Sequence, residues 1–482
     1  MKKYIIYLFV LLISVSTGCK KYLEQAPDQR STLNSPSKIS ELLVTAYPRG
    51  NYALVAEAMS DNPIFNSASG LDRAINRNGY FWERIEDDQQ DSPDYYWNSC
   101  YTAIAAANQA LDAIEKSDNP SSYTAQRGEA LVARAYAHFM LVTFYSKPYD
   151  KVSSETDPGV PYVTEPENVV FKNYERKTVA YVYAQIEKDL LEGMPLINDN
   201  YSVLAYHFTR KAAYAFATRY YLFKKEADKV IEYANLAFPA NNFAANFRPW
   251  NSYAGFSGST EIAQAFNSAA NPGNLLLGET TSWAQRYYAR GIFSLSQNRL
   301  RSIIAPIGTT LSSFRIYSFS STFYFVPKFY EHFVRNSINA TTGRGYVMMP
   351  LLTTEEVLLS RAEAYIMQDK YADALTDINT LFSARITNYS PSTHNLTDAK
   401  IKAFYDGVTN DTKQAYINAV LDVRRAEFLH EGIRWMDILR HKLVVKRDDA
   451  NGFTATLTEE DNRKQWLLPA EVVLSGIEQN PR

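Results

Sequence analysis

The sequence predicts an all-α protein of stacked helical hairpins, broken by one long irregular region that faces a ligand. Three observations carry this. Apolar residues recur at helical spacing over most of residues 41–238 and 351–441. Small residues sit at fixed offsets in two hairpin segments. Between 239 and 350 the periodicity fades, and Asn, Ser, Gly, Thr and Pro crowd between aromatics.

At the N-terminus, Lys2 and Lys3 precede an apolar run over residues 4–16, and Ser16-Thr17-Gly18 then narrow the chain to small side chains before Cys19. That is the order of an export signal. The run is too short to span a bilayer, which takes about 20 apolar residues. A cysteine right after the small residues resembles a bacterial lipobox, with Ser16 where Leu or Val is usual. Residues 1–18 therefore read as a lipoprotein signal and Cys19 as the acylated first residue. Stable anchoring takes more than one acyl chain, which a triacylated Cys19 meets. Residues 19–40, polar and with Pro27 and Pro36, read as a lipidated tether.

The chain holds only two cysteines, so Cys100 is left without an intrachain partner. A mature chain of about 460 residues is long enough to bury a core without disulfides. Lys plus Arg number 50 against 52 Asp plus Glu, which excludes a nucleic-acid face.

The body follows in order. Residues 41–238 form an N-terminal helical region. In "YTAIAAANQALDAIEK" Ile104, Ala107, Leu111 and Ile114 share a face, "RGEALVARAYAHFMLVTFY" repeats the pattern up to Lys147-Pro148, and 211–238 turns near Lys224-Lys225. Residues 239–350 are the irregular, aromatic-rich, ligand-facing region; a long insert of this kind is functional or disordered, and its aromatics argue against disorder. Residues 351–482 form a C-terminal helical region, with 416–441 as one strong helix and an apolar tail that packs back. In 353–385, Ala362, Tyr365 and Ala374 follow tetratricopeptide spacing about a turn at Asp369-Lys370; Thr218, Tyr221 and Val230 fit more loosely. Such hairpins bury their faces by stacking.

Catalytic signatures are missing. The sequence has no HExxH, GxSxG, P-loop or CxxC; "GFSGS" at 255–259 misplaces its last glycine, and no histidine pairs at metal spacing. A glycosidase carboxylate pair leaves no local mark, so hydrolysis stays open as an alternative. The expectation is a protein that is not an enzyme and needs no cofactor or metal.

Several stretches then resemble the RagB/SusD family of surface lipoproteins: "CKKYLEQAP", "EALVARAYAHFMLVTFYSKPYD" with "DPGVPYVTEPE", "LLSRAEAYIMQDKYADAL", "RRAEFLHEGIRWMDILR" and "EQNPR". The resemblance implies an outer-membrane, surface-exposed, lipid-anchored protein that binds glycan and works with a SusC-like TonB-dependent transporter, with capture of peptides as the alternative. In "RRAEFLHEGIRWMDILR" the i,i+3 pairs Arg424–Glu427, Glu431–Arg434, Arg434–Asp437 and Asp437–Arg440 read as one ion-paired face.

A sugar-binding surface needs exposed rings for C–H faces and polar partners for hydroxyls. The candidates are Tyr80 and Trp82 in 71–84, then Trp283, Tyr287 and Tyr288 in 281–290, with Trp250 and Tyr253 a weaker third pair. Trp97 and Trp435 read as core.

Overall fold

The computed structural model describes residues 33–167, 174–448 and 452–482. The signal, Cys19 and most of the tether lie outside the described residues. The tether ends earlier than the sequence predicts, because Ser35 and Pro36 start a helix: α1 runs Pro36–Leu43, Ser35 Oγ accepts from Lys38 N at 3.4 Å, and Pro36 takes the first turn. Its Ile39 and Leu43 are buried.

Helix α2, Ala53–Met59, is buried throughout. α3, Pro93–Glu115, is capped by Ser92 and packs along α4, Thr124–Tyr145. α4 is the axis of the molecule, buried from Gly128 to Tyr145, as expected of a helix apolar on every side. Its buried charged groups are paired. Glu129 accepts from Tyr47 Oη at 2.7 Å and Tyr201 Oη at 3.0 Å, and Arg134 forks onto Asp189 at 2.7 and 2.8 Å. Asp189 lies on α5, Val179–Gly193, which crosses α4 closely: a Cβ at Gly128 would stand 2.8 Å from the Gly193 carbonyl.

Two helical hairpins form at the predicted turns. α6, Arg210–Phe223, turns at Lys225 into α7, Ala227–Ala237; α9, Thr354–Met367, turns at Asp369 into α10, Tyr371–Arg385. Lys225 and Asp369 share a left-handed φ of 61°. Ala362, Ala374, Thr218, Tyr221 and Val230 are buried, and the hairpins stack through α7 and α6 against α9. Between them lies α8, the short helix Ala284–Arg290.

The stretch 239–350 is more ordered than the sequence suggests. β1, Asn274–Thr281, and β2, Glu331–Arg335, both pair antiparallel with the central strand β3, Gly343–Thr353. Pro350 sits where β3 has lost its β2 neighbour, which reaches only to Val347, so the missing N–H breaks no ladder bond. The register sets Thr281 opposite Tyr346 and Glu331 opposite Val347, bringing the end of β1 beside Glu331.

The predicted helix over 416–441 is two helices. α11, Thr412–Glu427, ends at Phe428, and α12, Ile433–Arg440, begins after Gly432 at φ 75°. The break redirects the charges. Of the four predicted pairs only Asp437–Arg440 is made within its own helix, at 2.7 Å. Arg424 reaches across to Asp437 at 2.9 Å, Arg434 forks onto Asp61 at 2.8 Å, and Arg440 onto Glu363 at 2.6 and 2.9 Å. Glu427 and Glu431 turn to the aromatic-rich excursion. Arg248 meets Glu355, Glu427 and Glu431 at 3.2, 3.0 and 2.9 Å; Arg385 meets Glu355 and Glu427 at 2.7 and 2.8 Å; Lys328 meets Glu431 at 2.6 Å. These three cations and three carboxylates are all buried. Burial alone would raise the Glu427 carboxyl, but Arg385, Arg248 and Lys328 outweigh it and hold it below the usual carboxylate range. The excursion is thus tied through Arg248 and Lys328 to the terminal helices.

The tail packs back as expected. Trp466 stacks on Phe144 with centroids 4.3 Å apart, and Asn480 Nδ2 donates to the Tyr145 and Trp466 carbonyls at 2.8 and 2.7 Å. Trp97 and Trp435 are buried in the core.

Candidate functional site

An aromatic–cationic shelf stands where β1 ends and α8 begins. Thr281 N donates to the Arg49 carbonyl at 2.9 Å and Ser282 N to that of Gly345 at 3.1 Å, which fixes the strand end. Asp91 then shapes the turn: its carboxylate accepts from the Ser282 hydroxyl and from Trp283 N, the latter at 2.8 Å. Burial pushes the Asp91 carboxyl up to about 6, against those hydrogen bonds and Arg73.

On this turn the Trp283 ring is half-buried, with one guanidinium close over it. Arg73 Cζ lies 4.5 Å from the indole centroid and that of Arg286 5.7 Å. Arg73 is held by Asp87 at 3.3 Å and by Asp91 at 3.8 Å; Arg286 forks onto Glu331, with Nε 2.7 Å from Oε2. Half-buried Tyr287 lies beside them, its hydroxyl raised by burial and by Asp91, while the nearby arginines act the other way. Next along the surface, Arg290 covers the exposed ring of Phe319 at 5.1 Å. Rings for apolar C–H faces thus stand beside guanidinium donors and carboxylate acceptors held in place by ion pairs. Nothing in the shelf resembles a nucleophile–base pair, and among the described residues no cluster of three or more His, Cys, Asp or Glu is placed to hold a metal.

Of the predicted ring residues, only Trp283 and Tyr287 meet on this surface. The others are buried, and none of them presents a face to a sugar. Trp82 donates Nε1–H to the Met59 carbonyl at 2.9 Å, and Tyr80 donates to that of Asp448 at 3.0 Å; both rings wall the buried Arg447, 5.3 and 4.1 Å from its guanidinium. Tyr288, the other face of α8, stacks on His430 at 4.5 Å. Trp250 packs on Phe314 and Phe266 with centroids 4.9 and 5.5 Å away, and Tyr253 Oη accepts from Asn271 at 3.1 Å. Loop composition misled here because Trp82, Trp250, Tyr253 and Tyr288 join the main hydrophobic core, and Tyr80 packs on Phe293. Sequence reasoning missed Asp91, Glu331 and Phe319, which come from distant segments; Arg73 and Arg286 lay inside the quoted stretches.

Two family profiles match the chain: one described as "Starch-binding associating with outer membrane" over residues 21–222, and one described as "SusD family" over residues 307–472. No curated protein matches the sequence. Among solved structures, a SusD superfamily protein from Bacteroides thetaiotaomicron aligns at 18% identity over 93% of this chain and 100% of its own, with a TM-score of 0.66. A SusD-like carbohydrate binding protein from Bacteroides vulgatus aligns at 16% identity over 92% and 96%, with a TM-score of 0.63. A laminarin binding SusD-like protein aligns at 17% identity over 93% and 99%, with a TM-score of 0.60. At these identities the likeness is one of fold. No described helix is long and apolar enough to cross a membrane.

Proposed function

Because the chain belongs to the SusD/RagB family, we propose that it is a non-catalytic, surface-exposed carbohydrate-binding lipoprotein of the outer membrane. It captures glycan on the Trp283 shelf and passes it to a SusC-like TonB-dependent transporter. The observation that carries the site is the approach of Arg73, from a distant segment, to Trp283, Arg286 and Tyr287, which share the turn and first part of α8. Family membership carries the carbohydrate class, which the laminarin-binding relative supports by its own ligand.

A sugar ring stacks by its C–H face on the open part of the indole, and its hydroxyls take guanidinium donors and the acceptors of Asp87 and Glu331. Such a shelf binds weakly, with a Kd on the order of 0.01–1 mM or roughly −4 to −7 kcal/mol; polymeric ligand and dense display at a surface raise the effective affinity. Acylated Cys19 anchors the protein. With no catalytic step, the shelf releases the glycan unchanged to the transporter.

Affinity electrophoresis through gels holding laminarin, amylopectin, xylan or mannan tests the class. Retardation by at least one polymer, with the polymer left uncleaved, is expected. Cleavage would establish a hydrolase, and no retardation alongside capture of peptides would establish a peptide-binding member. Recovery of a TonB-dependent receptor from mild detergent extracts tests the partner.

A further inference from the structure

On a separate part of the surface, an open cleft of about 740 Å³ runs between the turn Pro306–Gly308 of the excursion and residues 386–404 beyond α10. Its volume lies within the 300–1,000 Å³ of small-ligand sites. Ile307 and Ile386 form an apolar floor, and Thr309, Thr310, Ser312, Thr387 and Thr393 add side-chain hydroxyls. One wall is Phe404, a large ring left 48% exposed. The chain is strained at the floor: Ile307 holds φ 51° and ψ 37°, a left-handed conformation that β-branched residues rarely adopt, and Gly308 follows at φ 70°. Strain of this kind collects where a ligand is gripped.

Charge in the cleft is sparse. The Lys400 ammonium donates to the Thr393 and Asn395 carbonyls at 2.7 and 2.8 Å. His394 Nδ1 accepts from Ser390 N at 2.9 Å, so the neutral ring carries its proton on Nε2, a donor at the cleft. One exposed ring beside many hydroxyls, with the lone ammonium already engaged, matches an uncharged sugar and gives an anion little to bind.

We propose that this cleft is a second carbohydrate site, specific for neutral glycan and separate from the Trp283 shelf. It rests on the carbohydrate reading above, and deepens it: two sites on one protein grip one polymer chain at two points.

The test uses the same four polymers and the intact protein, with Phe404→Ala, Trp283→Ala and the double variant, each checked by circular dichroism. Phe404 is half exposed, so its truncation leaves the core intact. Each single variant is expected to lower polymer affinity three- to tenfold, and the double variant to lose retardation altogether. A Phe404→Ala protein retarded like wild type would overturn the second site and leave the shelf standing. A wild type retarded by none of the polymers would overturn the carbohydrate reading, and this site with it.

Discussion

Replacing Arg248 by Met tests whether the buried ion network positions the ligand-facing excursion. Arg248 lies within 3.2 Å of three carboxylates, those of Glu355, Glu427 and Glu431, in a cluster of three cations and three anions. Methionine keeps most of the packing against Phe266, whose ring lies 4.7 Å from the guanidinium. It removes one positive charge, leaving three buried carboxylates facing Arg385 and Lys328. Removing one partner of a buried pair costs about 3–5 kcal/mol, far above the value of the intact pair against an apolar substitute. We expect a loss of about 4 kcal/mol, which at an m-value of about 3 kcal/mol/M lowers the urea midpoint by about 1.3 M. Adding Glu431→Gln restores the charge balance, so the double variant should be less destabilised than the sum of the two singles. Arg49→Ala is the control: its ion pair with Glu279 is exposed, at 58% and 47% for the two side chains, and should cost no more than about 1 kcal/mol. Tryptophan fluorescence and far-ultraviolet circular dichroism follow the transition. An Arg248→Met protein within 1 kcal/mol of wild type would refute the reasoning.

Acid should weaken this network and the neighbouring pairs of Arg424 and Arg440 with Asp437 and Glu363. Glu427, Asp437 and Glu363 are all held below their ordinary values, burial opposing and the neighbouring cations prevailing. Their contribution is full above the unfolded carboxyl values of about 4 and is lost as pH falls through the lower folded ones, so denaturant midpoints should drop steeply below pH 4. Asp91 has the opposite sign. Its folded value is raised to about 6, so its contribution is full below pH 4 and fades as pH rises through 6. Between those limits Asp91→Asn should remove a pH-dependent loss of up to about 3 kcal/mol, read as a flatter stability profile than wild type's. Gly432→Ala should cost about 2 kcal/mol in urea titrations, because φ is 75° and the new Cβ would stand 3.0 Å from Ala53 Cα and from the Tyr52 ring. Cys19→Ala should move the protein from the membrane to the soluble fraction on fractionation; retention in the membrane would place the anchor elsewhere.

The helical body was legible because burial there follows a period. Ala362, Ala374 and Val230 lie at the offsets a close hairpin needs, and all three are buried. The break at Gly432 was less legible. Apolar residues continue at helical spacing on both sides of 428–432, and only the glycine marks a left-handed position. The ion pairs were misassigned for the same reason, since i,i+3 spacing says nothing about partners such as Asp61 or Arg248 from distant segments. In the excursion, aromatic density signalled order correctly, but it gave no means to separate rings that line a surface from rings that join the core. Trp283 and Trp250 have similar polar neighbours in sequence. One sits half open over an ion-paired arginine, and the other is enclosed by Phe266, Phe314 and Tyr253. β3 escaped notice because its Gly343, Gly345 and Pro350 read as loop residues.

Isothermal titration of the wild type and of Trp283→Ala, with an oligosaccharide cut from whichever polymer retards the protein, tests the carbohydrate shelf most directly. Wild type should bind with a Kd of about 0.01–1 mM. If stacking on Trp283 is similar in scale to the stacking of bases on aromatic side chains, the variant should lose about 1–3 kcal/mol, a roughly 5- to 150-fold rise in Kd, with an unchanged circular dichroism spectrum. A variant that binds this oligosaccharide as tightly as wild type would contradict the account.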